Sequence, residues 1–173
     1  MIRNEEVIAK ILEYSEIKEG IDVLDVACGT GVLFPDYQKR KVASLTGIDI
    51  SKEMCKIAKA KYPDVDVICA DVETYVFDKK FDVIVVYNAF PHFAHPAHVI
   101  EVLSKHLKPQ GRLSIAHGMS RIALLKHHEG RAAHVSIALL EENELAKVME
   151  PYFDVDVIIS NETMYQVAGK RKR

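Results

Sequence analysis

The 173-residue sequence lacks most of the features that would place it in a specialised class. It has only three cysteines, Cys28, Cys55 and Cys69. Their odd number, wide spacing and lack of a C-x-x-C pair argue against a disulfide framework and a cysteine-type zinc site. No apolar run approaches the roughly 20 residues that a membrane-spanning helix needs. The stretch from Met1 to Lys10 carries Glu5 and Glu6 where a signal peptide would be apolar. A cytoplasmic location with reduced thiols and no membrane association is therefore expected. Charge of one sign is also lacking: 23 basic and 25 acidic residues leave a net −2. That balance speaks against nucleic acid as a partner, and the basic run Lys170–Arg173 reads as a solvated tail. No internal repeat or Pro/Gly/Ser-rich linker interrupts the chain, so one domain over residues 1–173 is expected.

What the chain does have is alternation between short β-rich apolar runs and segments of helical spacing, the pattern of βαβ units around a mostly parallel sheet. The spacing predicts a helix over residues 4–15, with Val7, Ile8, Ile11 and Leu12 on one face. Strands follow at 22–26, 42–48, 65–70, 81–86 and 112–116. The helices between them start near 32–35, after Ser51 as cap, and at Pro96. Met54, Ile57 and Ala58 are expected to form the buried face of the second of these. Val99, Ile100, Leu103 and Leu107 should form that of the third, and Pro109-Gln110-Gly111 reads as a turn. Helices near 120–129 and 141–150 precede strands near 152–159 and 163–169. The short separation of those strands around Asn161 implies an antiparallel hairpin. The sum is an α/β fold: a seven-stranded, mostly parallel sheet with an antiparallel C-terminal hairpin and helices on both faces.

The most informative segment is Val23-Leu24-Asp25-Val26-Ala27-Cys28-Gly29-Thr30-Gly31. Glycines directly after a buried strand permit a tight turn and close approach of backbone to a ligand. In parallel α/β sheets ligands sit outside the carboxyl ends of the strands. Two more carboxylates, Asp49 and Asp71, end the second and third strands. A dinucleotide fingerprint, Gly-x-Gly-x-x-Gly, would need glycine where Phe34 stands, and no Gly-Lys-Ser/Thr follows to make a phosphate loop.

These residues resemble the first motif of class I S-adenosylmethionine-dependent methyltransferases, with Ala27 at the position of the first glycine. The resemblance extends through Phe81–Val86 and Leu107–Leu113 and implies a Rossmann-like fold with S-adenosylmethionine as cofactor. It places Asp25 near the methionine amine, with Ala27, Gly29 and Gly31 giving close backbone approach. Asp49 would take the ribose hydroxyls, Ile50 would pack on the adenine, and Asp71 with Val72 would hold the adenine amino group. Asn88, in Tyr87-Asn88-Ala89-Phe90-Pro91-His92-Phe93, would lie beside the sulfonium and the substrate. That segment does not match the Asn/Asp-Pro-Pro-Tyr/Phe motif of amino methylation on nucleobases and glutamine.

Methyl transfer from a sulfonium is an in-line displacement that mainly needs proximity and alignment. Where the acceptor must lose a proton, His92 and His117 are the candidate general bases or acceptor-binding groups. Each is expected just after a strand, and those two strands should be neighbours. Tyr87 and Arg121 are further candidates for the pocket wall. All eight histidines fall between residues 92 and 134, which makes a metal site at His92, His117, His127, His128 and His134 a compositional alternative. No HExxH pair supports it. The expected function is methylation of a small-molecule O, N or S acceptor. Alternatives are methylation of RNA or protein with a partner subunit, or a non-catalytic S-adenosylmethionine- or metal-binding protein. A homo-oligomer is compatible with the sequence.

Overall fold

The computed structural model describes residues 4–129 and 139–173. Its centre is a seven-stranded sheet in the order β3-β2-β1-β4-β5-β7-β6. The strands are β1 (Asp22–Val26), β2 (Ser44–Asp49), β3 (Asp66–Cys69), β4 (Phe81–Tyr87), β5 (Leu107–His117), β6 (Phe153–Ser160) and β7 (Tyr165–Arg171). The first five in spatial order run parallel, and β7 runs antiparallel to both β5 and β6. The chain builds outward from β1 through β2 to β3, then returns to the other side of β1 with β4. That reversal leaves a crevice outside the carboxyl ends of β1 and β4, the natural ligand position of this architecture.

Helices cover both faces. On one face, α1 (Glu5–Tyr14), α2 (Phe34–Lys39) and α3 (Lys52–Lys61) bury Ile8, Leu12, Phe34, Tyr37, Cys55 and Ala58 against Val23, Val83 and Val85. On the other, α4 (Pro96–Lys105) and α6 (Glu142–Met149) pack Val99, Ile100, Leu103, Leu145 and Met149 over Leu24, Ile84 and Leu113. Each such aliphatic side chain contributes about 1.5–3 kcal/mol of burial. The remaining helix, α5, spans Arg121–Glu129.

Local chemistry sets the element ends. Asn4 caps α1 by accepting a hydrogen bond from the Val7 amide (3.1 Å), and Ser51 caps α3 by accepting from the Met54 amide (3.3 Å). The Asn161 side chain closes the C-terminal hairpin by accepting from the Thr163 and Met164 amides, each at 2.9 Å.

The structure corrects several expectations. The covered residues of α3 are Cys55 and Ala58, while Met54 and Ile57 stand 41% and 45% exposed. This short helix lies over the edge of the sheet, where only a narrow stripe is covered. Leu107 belongs to β5, not α4. Pro109-Gln110-Gly111 does not separate a helix from a strand but forms an irregularity inside β5. The register there jumps from Phe81↔Leu107 to Val83↔Arg112, and Gln110 takes a left-handed φ of 63°.

Candidate functional site

The loop leaving β1 turns sharply. Ala27, Gly29 and Gly31 all have left-handed φ values, of 56°, 58° and 89°. Gly31 is required twice over. Besides its φ, a Cβ there would lie 2.6 Å from the Phe34 ring and 2.9 Å from Tyr62. Phe34 fills the space that a dinucleotide fold would leave open. It fits because Gly47 on β2 also has no side chain, a Cβ there falling 2.7 Å from the same ring. Ala27 holds a left-handed conformation without glycine's freedom, at a cost of about 1–2 kcal/mol.

Asp49 ends β2 and is fixed by backbone: its Oδ2 accepts from the Gly29 amide (2.8 Å) and its Oδ1 from the Ser51 amide (2.9 Å). One hydrogen bond per oxygen leaves acceptor capacity on both. The carboxylate thereby joins the β1 and β2 loops. Asp71 follows β3; its Oδ1 accepts from the Glu73 amide (2.9 Å) and its backbone carbonyl from the Tyr75 amide (2.9 Å). Asn88 follows β4 at φ 56°, a conformation asparagine tolerates, and its Oδ1 accepts from the Gly118 amide (2.9 Å), tying the β4 exit to the β5 exit.

Two cavities open at this end of the sheet. The first, about 660 Å³, is lined by Asp49, Ile50, Asp71, Val72 and His92. The second, about 540 Å³, is lined by Asp25, Tyr87, Gly118 and Met119, with Asn4 and Ile8 from α1. Ala27, Gly29 and Asn88 belong to both, so one elongated ligand can pass from one to the other. Both volumes fall in the range of small-molecule sites.

Electrostatically the inner end is unusual. Asp25 is only 3% exposed. Burial pushes its carboxyl up to about 8; the nearby Tyr37 hydroxyl opposes part of that rise and the Asp49 carboxylate adds to it. No cationic side chain among the described residues pairs with Asp25. Cys28 and Tyr37, buried beside it, are also pushed up, mainly by burial. A buried carboxyl without a cation, bordering a cavity, suits a ligand that brings its own positive charge.

The residues expected to bind a cofactor therefore converge. Asp25, Ala27, Gly29, Asp49, Ile50, Asp71, Val72 and Asn88 all line one or both cavities, and Gly31 shapes the loop behind them. The two histidines are not brought together. His92, in the 3₁₀ turn Phe90–His92, borders the first cavity. His117 is the last residue of β5, 1% exposed and paired across the sheet with Tyr165, its ring 6.0 Å from that ring; it lines neither cavity.

Arg121 donates from Nε to the Leu139 carbonyl (3.1 Å). His98 pairs with Glu73 at 2.8 Å, and His106 packs on Phe77 at 4.8 Å, its burial lowering its basicity. His134 and the side chains of His127 and His128 lie outside the described residues, among which no group of His, Cys, Asp and Glu is arranged to hold a metal. Sequence reasoning missed Asn4 and Ile8, and Tyr37 beside Asp25. The position of α1 directly before β1 was the available signal for the first two.

The features of S-adenosylmethionine can be matched to these groups. Its ammonium suits Asp25, which no described cationic side chain neutralises, its ribose hydroxyls the remaining lone pairs of Asp49, and its adenine the apolar strip of exposed Ile50 and buried Val72 beside Asp71. The residues present fit the cofactor.

Comparison with known proteins agrees with this fit. Residues 23–111 match a family described as a methyltransferase domain. A malonyl-[acyl-carrier protein] O-methyltransferase of Priestia megaterium is 34% identical over 96 residues, covering 54% of this chain and 35% of the relative. A demethylmenaquinone methyltransferase of Paenarthrobacter aurescens is 32% identical over 107 residues, covering 61% and 42%. The chain thus spans well under half the length of these curated relatives. Among solved structures, a SAM-dependent methyltransferase from Aquifex aeolicus superposes with a TM-score of 0.78 at 22% identity, covering 95% of this chain and 89% of that one.

Proposed function

The chain belongs to the methyltransferase-domain family, and from that premise we propose that it transfers a methyl group from S-adenosylmethionine to a small-molecule O, N or S acceptor. When bound, that cofactor supplies an electrophilic methyl on a sulfonium. The chain's own residues bind, orient and exclude water. Asp49 accepts from the ribose hydroxyls while the Gly29 and Ser51 amides hold its carboxylate still. Ile50 and Val72 cover the adenine, and Asp71 receives its amino group. In the second cavity the Asp25 carboxyl gives up its proton and, as an anion, faces the ammonium. Asn88, held by Gly118, forms the shared wall where the two cavities meet.

The acceptor enters the second cavity beneath α1, beside Tyr87 and Met119. Its volume and the small-molecule names among the relatives, demethylmenaquinone for one, support a small acceptor. His92, at the rim of the first cavity, is the group available to take a proton from an acceptor that must lose one.

The observation that carries this reading is the placement of Asp25 and Asp49 on two cavities that join at Ala27, Gly29 and Asn88. Calorimetric titration with S-adenosylhomocysteine tests it: saturable binding with one site per chain is expected, and absence of heat at millimolar ligand overturns it. A panel of small O, N and S nucleophiles with labelled donor then tests the acceptor class.

A further inference from the structure

The three cysteines are scattered in sequence, but two of them, Cys55 and Cys69, meet at the Asp49 turn. Cys55, in the first turn of α3, is buried, and its Sγ lies 3.3 Å from the Asp49 carbonyl and 3.8 Å from the Ile68 carbonyl. Cys69, the last residue of β3, is exposed; its Sγ lies 4.0 Å from the Ile50 carbonyl. The two sulfurs thus sit against the carbonyls of consecutive residues, Asp49 and Ile50, and Cys55 Sγ also reaches the carbonyl of Ile68, the residue before Cys69. Asp49 and Cys69 are direct partners in the β2–β3 ladder. The pair therefore spans the turn that presents Asp49 and Ile50 to the first cavity. Cys28, the third thiol, is buried and lines the second cavity.

We infer that Cys55 and Cys69 are a peroxide-sensitive thiol pair whose disulfide reshapes the Asp49–Ser51 turn and weakens donor binding. The exposed Cys69 meets oxidant first. Its sulfur bonds to one peroxide oxygen as the O–O bond breaks, giving the sulfenic acid and one water. The Cys55 sulfur then displaces that oxygen, forming the S–S bond and releasing a second water. Each thiol gives up one proton and one electron, and the peroxide is reduced to two waters. Closure brings the sulfurs to about 2.05 Å, nearer than two separate thiols can approach. It also removes both S–H donors from the Asp49 and Ile50 carbonyls, so the start of α3 is drawn toward the end of β3. The carboxylate that joins the β1 and β2 loops moves with this turn. Buried Cys28 contacts the Gly29 carbonyl (3.8 Å) instead of this turn and stays reduced.

The last step, loss of donor affinity, rests on the function proposed above, while the disulfide and the change in the turn do not. The test treats wild-type protein and Cys69→Ser with stoichiometric hydrogen peroxide. Thiols are counted in denaturant and the bond mapped by peptide mass. Hydrogen exchange is followed at the Gly29 and Ser51 amides, which bond Asp49 and report on the turn with no ligand present. Wild-type protein is expected to fall from three thiols to one, with a Cys55–Cys69 bond and faster exchange at both amides. S-adenosylhomocysteine affinity is expected to fall about tenfold, the loss of roughly one charged hydrogen bond, and to return on reduction. Cys69→Ser is expected to form no intramolecular disulfide and to keep its affinity and exchange rates through the treatment. Three surviving thiols, a bond to Cys28, or unchanged exchange in the oxidised protein would overturn the inference. If reduced protein fails to bind S-adenosylhomocysteine, the proposed function falls, and thiol count and exchange still decide the pair.

Discussion

The two cavities that meet at Ala27, Gly29 and Asn88 are built by different means. The first draws its polar groups from consecutive strand ends, Asp49 after β2 and Asp71 after β3, each fixed by nearby backbone amides. The second draws its walls from distant parts of the chain: α1 at the start, the loop after β1, and the exits of β4 and β5. Its roof is held by a buried polar clip. Gln166 on β7 brings its Nε2, with two N–H donors, within hydrogen-bond distance of the Ile11 carbonyl (3.0 Å), Ser15 Oγ (3.2 Å) and Ser114 Oγ (2.9 Å), so α1 is fastened to the far half of the sheet. A site made from strand ends comes with the fold, whereas one made under a clipped helix can vary while the fold stays constant. This division suits a donor common to a family and an acceptor that differs among its members.

The largest expected effect strikes the first cavity. Asp49→Ala removes the carboxylate intended for two ribose hydroxyls and strands the Gly29 and Ser51 amides. Two charge-assisted hydrogen bonds at about 1.5–3 kcal/mol each imply an affinity loss for S-adenosylhomocysteine of roughly 10²- to 10⁴-fold. Calorimetry measures it, and a loss below about threefold would erase the distinction between the cavities.

Asp25 sharpens the comparison through pH. Its carboxyl, near 3.8 when unperturbed, sits at about 8 in the fold, so the free protein holds an extra proton between those values. The stability this group contributes is thus present at acid pH and is lost as pH rises through about 8. A bound ammonium favours the ionised form, so binding releases the proton. Affinity for S-adenosylhomocysteine should rise with pH from 6 to 8, approaching tenfold per unit if one proton is released. Asp25→Asn should flatten that profile and remove the matching slope from the thermal-stability curve.

The clip should separate the cavities the other way. Gln166→Leu removes the amide donors from the buried Ile11, Ser15 and Ser114 oxygens, which keep only the Ser15–Ser114 (2.8 Å) and Ser15–Ile11 (2.7 Å) bonds, at a cost of about 1–3 kcal/mol read by denaturant unfolding. As α1 loosens, KM for the acceptor is expected to rise, while S-adenosylhomocysteine affinity stays within about threefold. Equal losses on both sides would show that the cavities are one rigid unit. The smallest effect belongs to the shared wall. Ala27→Gly relieves a left-handed alanine at the expense of a more flexible unfolded chain, for a net gain of about 0.5–1 kcal/mol and a Tm higher by about 1–4 °C.

The same contrast explains what the sequence could convey. Asp25, Asp49 and Asp71 were legible as a set because each lies within two residues of the end of a short apolar strand, and strand ends are where this architecture places ligands. The sheet and hairpin were legible from alternation and from the brief break at Asn161. His117 misled because β5 runs one residue further than its apolar run suggests. That extension pairs the imidazole with Tyr165 and turns it into the core instead of the pocket. Met54 and Ile57 misled because their periodicity is helical, but the sheet edge beneath α3 covers only Cys55 and Ala58. The roof of the second cavity could not be read at all. It depends on contacts between Ser15, Ser114 and Gln166, which are far apart in sequence and carry no local pattern. The gathering of Cys55 and Cys69 was hidden for the same reason.

The most direct measurement is a crystal structure with S-adenosylhomocysteine bound. The expected result has the adenine between Ile50 and Val72 with its amino group at Asp71, the ribose hydroxyls on Asp49, and the ammonium in the second cavity facing Asp25. A ligand bound elsewhere, or bound in reverse with its amino-acid end at Asp71, would contradict the account.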